Sequence, residues 1–260
     1  MQNLRRRTAP PMNLARLLLA AACVVALPLP LHANPLQELR DTLGRLAGHT
    51  PLKASVHIKS EDRSSDGDET ETNTGLASVQ LEDGPQGLRL IYPQAALVRA
   101  AQEDAERAAN PKAPAPTANG LRALGLSEVS ELARAAATLQ RELARAVFKA
   151  ERNEPWQGRP ARLLVFDVPP AKKDKHVKKY ESTLEVWMAP DGTPLASRAR
   201  HRIEGSAFVV ISFEAQSTEE QVFAVVGERL VATQRISAQS GSGMGHKGSS
   251  RSEYTLRALD

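Results

Sequence analysis

From Leu52 onward most of the chain alternates, and no other feature narrows its possible folds as much. Leu52, Ala54, Val56 and Ile58 share one side of an extended segment, and Lys53, Ser55, His57 and Lys59 share the other. The same period of two returns at Ala77, Val79 and Leu81, and again at Leu88, Leu90 and Tyr92. After Pro155 it runs through Leu163–Val168, Tyr180–Met188, Leu195–Ile203, Ala207–Phe213, Val222–Ile236 and Ser252–Leu259. Short turns such as "APDGTP" and "EGS" join these runs, so successive strands are expected to be antiparallel neighbours. The expected total is about nine strands.

Two stretches switch to a helical period. In "NPLQELRDTLGRLAGHTP" Asn34 is placed to cap a helix, with Pro35 at its first position and Gln37 where a capping box needs it. Leu36, Leu39, Leu43 and Leu46 then form one sticky stripe. Residues 93–155 read as a helical insertion between strands: an alanine-rich helix after Pro93, a break at "PKAPAPTANG", and a helix from Ser127 to about Asn153. The second helix carries Leu132, Ala136, Leu139, Leu143 and Val147 as its stripe. The polar run "SEDRSSDGDETETNTG" is expected to be a mobile hairpin connection, and Asp83-Gly84-Pro85 the turn of a second hairpin. The fold expected is α+β: a strongly curved antiparallel sheet, a half-barrel, covered by the N-terminal helix and the inserted helical pair.

Ahead of this domain, residues 1–33 place Arg5, Arg6, Arg7 and Arg16 before an apolar run that ends in Leu31-His32-Ala33. Basic residues, a short apolar core and a small residue before a break are the order of a secretory signal, with cleavage expected after Ala33 and translation able to start at Met1 or Met12. Pro28 and Pro30 interrupt the run before it reaches the ~20 residues of a membrane span. Cys23 has Ala20 three places ahead of it, where a lipobox carries a branched apolar residue, so it reads as filler rather than a lipidation site. The chain has 1 cysteine, so residues 34–260 hold neither disulfides nor thiolate metal sites, and a periplasmic location is expected. Four of the 34 basic residues lie in 1–33, which contains no acid, leaving 30 against 30 acidic residues. The net +4 therefore says nothing for nucleic acid. At 4% aromatic residues, a base-stacking surface or a carbohydrate platform of stacked rings is disfavoured.

Catalytic templates fail. "GSGMGHKGSS", Gly241 to Ser250, has strand-like residues on both sides rather than the helix that a phosphate loop requires, and reads as a flexible hairpin tip. His57, His176, His201 and His246 show no metal-ligand spacing, and His201, in step with Leu195 and Ile203, reads as a half-buried structural residue. There is no Gly-x-Ser-x-Gly elbow. The acidic run at Glu61, Asp62, Asp66, Asp68, Glu69 and Glu71 lacks the spacing of a calcium loop and reads as a solvated linker. No enzymatic activity, cofactor or metal is expected. Lys172, Lys173, Lys175, Lys178 and Lys179, with His246 and Lys247, are the candidates for contact with an anionic headgroup or an acidic partner.

An exported chain that opens with a leucine-striped helix, continues in long strands with a helical insertion, and reaches a strand pair "LEVWMAPDGTPLASRARHRIEG" resembles the LolA/LolB-like lipoprotein-carrier superfamily. The resemblance covers most of residues 34–260 in outline, and its local match is the Trp187 to Pro194 hairpin. It implies a bent sheet whose apolar hollow holds acyl chains beneath helices, and none of the family's binding residues maps onto this chain. The inward candidates from the alternation are Ala77, Val79, Leu81, Leu88, Leu90, Leu184, Val186 and Met188, faced by Leu132, Leu139 and Leu143. Each is also an ordinary core residue by pattern alone. Two functions follow: a non-enzymatic periplasmic carrier for a lipid or acylated protein, with peripheral membrane contact, or a protein-interaction module with a filled core that engages an envelope partner.

Overall fold

A computed structural model describes residues 34–259 except 68, 173 and 208–210, and these belong to one compact unit. The apolar run with Cys23, both starts, the cleavage bond, and Lys173 lie outside the described residues. Helix α1 (Pro35–Arg45) begins as its sequence requires: the Asn34 side chain accepts the Leu36 N–H at 3.1 Å, and Leu39 and Leu43 are buried. Strands β1 (Leu52–Asp66), β2 (Glu69–Gly84) and β3 (Gly87–Ile91) follow, then helices α2 (Gln94–Ala109), α3 (Pro116–Ala123), α4 (Leu126–Ala133) and α5 (Ala135–Leu143). Seven strands complete the chain: β4 (Val147–Asn153), β5 (Arg162–Asp167), β6 (Val177–Met188), β7 (Pro194–Ala207), β8 (Ile211–Val226), β9 (Arg229–Gly243) and β10 (His246–Ala258).

All ten strands form one antiparallel sheet in the order β3-β2-β1-β10-β9-β8-β7-β6-β5-β4, curved but not closed. β4 to β10 are a meander, and β1 to β3 add on beyond β10. Helices α2 to α5 therefore carry the chain from one free edge to the other, and that route takes them across a face of the sheet. On this inner face α3 packs on β2, α4 and α5 pack on β9, and α1 packs on α5. α3 comes so close that a Cβ on Gly120 would stand 2.5 Å from the backbone of Leu76. Glu103, the buried residue of α2, ties that helix down by accepting the Ala118 N–H at the start of α3 at 2.9 Å.

A second anchor is ionic. Asp83 accepts two hydrogen bonds from Arg134, at 3.0 and 2.8 Å, and one from Arg229 at 2.6 Å, joining β2, the α4–α5 junction and β9. The bonds from Arg134, and then those from Arg229, outweigh burial and hold the Asp83 carboxyl below its usual range. Asp83 is thus a buried ion-pair centre and not merely turn chemistry.

Four expectations are corrected. The helix expected to reach Asn153 stops at Leu143, and residues 147–153 are β4; Phe148 meets Phe166 across the strand pair, so tertiary pairing overrides helix propensity. The insertion is four helices, not a pair, because Pro116–Ala123, partly within the expected break, is itself helical, and the backbone breaks again at Leu124–Gly125 and at Arg134. Val222–Ile236 is two strands, with a turn whose Gly227 has φ +60°. The polar stretches expected as hairpin connections are strand: β1 and β2 pair as far as Asp66 and Glu69, and β9 and β10 as far as Gly243 and His246. In the second case only Met244 and Gly245, both at positive φ, make the turn.

Candidate functional site

Because the strands are long, each inner-face position belongs to a row that can be followed across the sheet by register. One row runs Ala77, Ile58, Tyr254, Arg235, Gln221, Ser197, Val186 and Leu164. Two residues further out lie Gly75, Ser60, Ser252, Ser237, Glu219, Ala199, Leu184 and Phe166. Two further again lie Asn73, Asp62, Ser250, Gln239, Ser217, His201 and Ser182. Residues two apart on a strand face the same way, so all three rows share the inner face.

The inward apolar candidates come together, as packed core. Ala77, Val79, Leu81, Leu132, Leu139, Leu143, Leu184, Val186 and Met188 are buried in a single cluster, with Leu88 and Leu90 half-buried against it. None of them lines the two hollows described next.

Those hollows lie further out, beyond the helices. One, of about 540 Å³, is bordered by Asp62, Asn73, His201, Ser217, Gln239 and Ser250, and the other, of about 880 Å³, by Tyr180, Ser182, His201 and Ser217. His201, Gln216 and Ser217 border both, so the two join into one trough crossing β1, β10, β9, β8, β7 and β6. Gly248, Gly241 and Ala215, in the next outward row, leave it open. His201 is half-buried, as its alternation implies, and meets Tyr180 edge to face with centroids 4.9 Å apart.

Among the described residues the side chains of Asp62, Ser250, Gln239, Ser217, His201 and Ser182 make no hydrogen bond or ion pair within the protein. The outer face of the same strand segments differs. There Arg63 pairs with Glu61 at 2.8 Å, Arg202 with Glu214 at 2.9 Å, Arg200 with Glu185 at 3.0 Å, and Gln216 donates to Ser240 at 3.0 Å.

Between core and trough sits a band of charge. Arg235, buried, donates to Glu131 of α4 at 2.7 Å and lies 4.5 Å over the Tyr254 ring. Gln221 donates to Glu219 at 2.6 Å. Glu142 of α5 is half-buried; burial, and then the carboxylates of Glu219 and Glu131, push its carboxyl up to about 7, against the opposing pull of Arg141 and Arg235.

The lysine candidates lie on the outer rim of the sheet. Lys172 and Lys175 are exposed between β5 and β6, Lys178 is exposed at the start of β6, and Lys179 already bridges Glu181 at 3.3 Å and Glu204 at 3.5 Å. His246 faces Asp66 at 3.5 Å on the β9–β10 hairpin, with Lys247 on the opposite face of that hairpin. β7 and β8 separate this hairpin from the lysine loop, so the two groups form no single patch. Among the described residues no cluster of His, Cys, Asp and Glu suits a metal ion, and no helix is long and apolar enough to cross a membrane.

The trough residues went unselected in the sequence because "SFEAQSTEE", "ISAQSGSG" and "KGSSRSEY" have serine, glutamine and glycine where a strand shows apolar residues. The one available signal was that the period of two continues from the apolar half of each strand.

No family model and no curated protein matches the chain. A crystal structure of a DUF1329 family protein from Desulfovibrio piger aligns with 87% of this chain and 94% of its own, at 9% identity and a TM-score of 0.27. The half-barrel assignment rests on strand order and register, not on that likeness.

Proposed function

We propose that the protein is an exported, non-enzymatic binding module with a filled core, which takes a polar partner on the open outer half of its inner face. The observation that carries this reading is the row of hydroxyl, amide, carboxylate and imidazole groups without a partner among the described residues, beside an apolar cluster whose members are buried against one another. Polar groups gathered in a hollow without intramolecular bonds are available to a ligand. Carriage of a lipid or acylated protein would require an apolar hollow, and the residues expected to line it are packed against one another. Export to the periplasm rests on residues 1–33 as a cleavable signal.

A photo-crosslinking amino acid at Gln239, compared with one at outer-face Lys59, tests the reading in cells. A defined crosslinked product is expected from position 239 and not from 59. Equal labelling at both positions, or acyl chains retained in native mass spectra together with a melting shift on adding palmitate, would overturn it.

A further inference from the structure

We infer that the trough binds an extended neutral saccharide chain, an inference that rests on the binding reading above. Its six groups, Asp62, Ser250, Gln239, Ser217, His201 and Ser182, stand one per strand on six adjacent strands. Neighbouring strands are ~4.8 Å apart, so the row presents one hydrogen-bonding side chain about every 4.8 Å, close to the advance of one pyranose unit along an extended chain. An extended peptide laid across the strands repeats its pattern over two residues of about 3.3 Å each, which falls out of step with the row.

The chemistry agrees with the spacing. Serine, glutamine and histidine side chains carry donor and acceptor positions, as a sugar hydroxyl does, and the two oxygens of Asp62 can each meet a hydroxyl. None of the six is Lys or Arg, and the cations that border the hollows, Arg63, Lys149, Arg200 and Arg202, are each already held in an ion pair with a carboxylate. The scarcity of aromatic residues excludes a platform of stacked rings, but Tyr180 against His201 places one ring pair at the β6 end, where the last sugar has a face to stack on.

The test titrates the purified full chain with cellohexaose, chitohexaose and maltohexaose, their dimers, and an alternating Ser-Ala octapeptide, by calorimetry. One hexasaccharide is expected to bind saturably, more tightly than its dimer, and with little dependence on salt because it is neutral. Gln239→Ala and His201→Ala are expected to weaken it by about 3- to 10-fold each, the loss of one hydrogen bond, while Arg251→Ala, exposed on the outer face and away from both hollows, leaves it unchanged. Melting temperatures of the variants establish that they fold. Binding of the octapeptide weakened by the same two variants, or no saturable hexasaccharide binding by folded protein, overturns the saccharide assignment. If position 239 still crosslinks a partner in cells, that failure leaves the binding reading standing; if it does not, both fall.

Discussion

The two halves of each long strand share backbone pairing and differ in what their inner side chains meet. In β1, Leu52, Ala54, Val56 and Ile58 are buried beneath helices, whereas Asp62 and Ser64, on the same face, are exposed. In β9 the change comes after Arg235, and in β10 before Tyr254. Helices α3 to α5 reach only part of the way along the strands, so one half of the sheet became core and the other kept a polar face. The lesson is that hydrogen-bond pairing sets how long a strand runs, and side-chain cover sets what it is for.

Substitutions in the covered half are expected to unfold the protein, and those in the open half to leave its stability alone; the contrast fails if the two sets overlap. The largest loss, about 4 kcal/mol in urea titrations, is expected for Asp83→Ala, which leaves buried Arg229 without its carboxylate. Because the Asp83 carboxyl titrates lower folded than unfolded, its contribution is present above the usual carboxylate range and is lost as pH falls through the folded value. Leu139→Ala follows at about 3 kcal/mol, since the residue is 1% exposed in a filled cluster; a loss under about 1 kcal/mol would mean that the core already had room.

Gly120→Ala is expected to lose about 2 kcal/mol by pushing α3 off Leu76, measurable as a lower melting temperature. Glu142 lies at the boundary between the halves, and its effect has the opposite sign. Its carboxyl rises from 4.5 unfolded to about 7 folded, so the stability it contributes is complete below the unfolded value and is lost as pH rises through about 7. Glu142→Gln is therefore expected to be more stable than the parent at about pH 8, by about 1 kcal/mol after allowing for partial exposure, with a flatter profile down to about pH 5. Smallest is the open half: Gln239→Ala and Ser217→Ala are expected to shift stability by less than about 0.5 kcal/mol.

Much of the covered half was legible beforehand. The apolar alternation in β1, β2 and β6 and the Asn34-Pro35 start of α1 each have a local cause, and each lies where expected. The stripe Leu132, Leu139 and Leu143 reached the core even though the helix carrying it is broken at Arg134. The open half was not legible, because Ser217, Gln239 and Ser250 carry turn-like side chains on backbone held extended by neighbouring strands. Val147 misled in the other direction: its apolar side chain continued a helical stripe, yet it is 59% exposed on an edge strand.

The sequence by itself determined the class of fold, the capped first helix and much of the set of residues that would be buried, because periodicity and capping act over a few neighbours and need no knowledge of the rest of the chain. Only the tertiary structure decided that the apolar candidates would pack into one cluster rather than border the two hollows, that Asp83 would bind two arginines, and that six polar groups from six strands would share one row. Each of these depends on register and helix placement between segments far apart in the chain, and such contacts leave no local pattern to read.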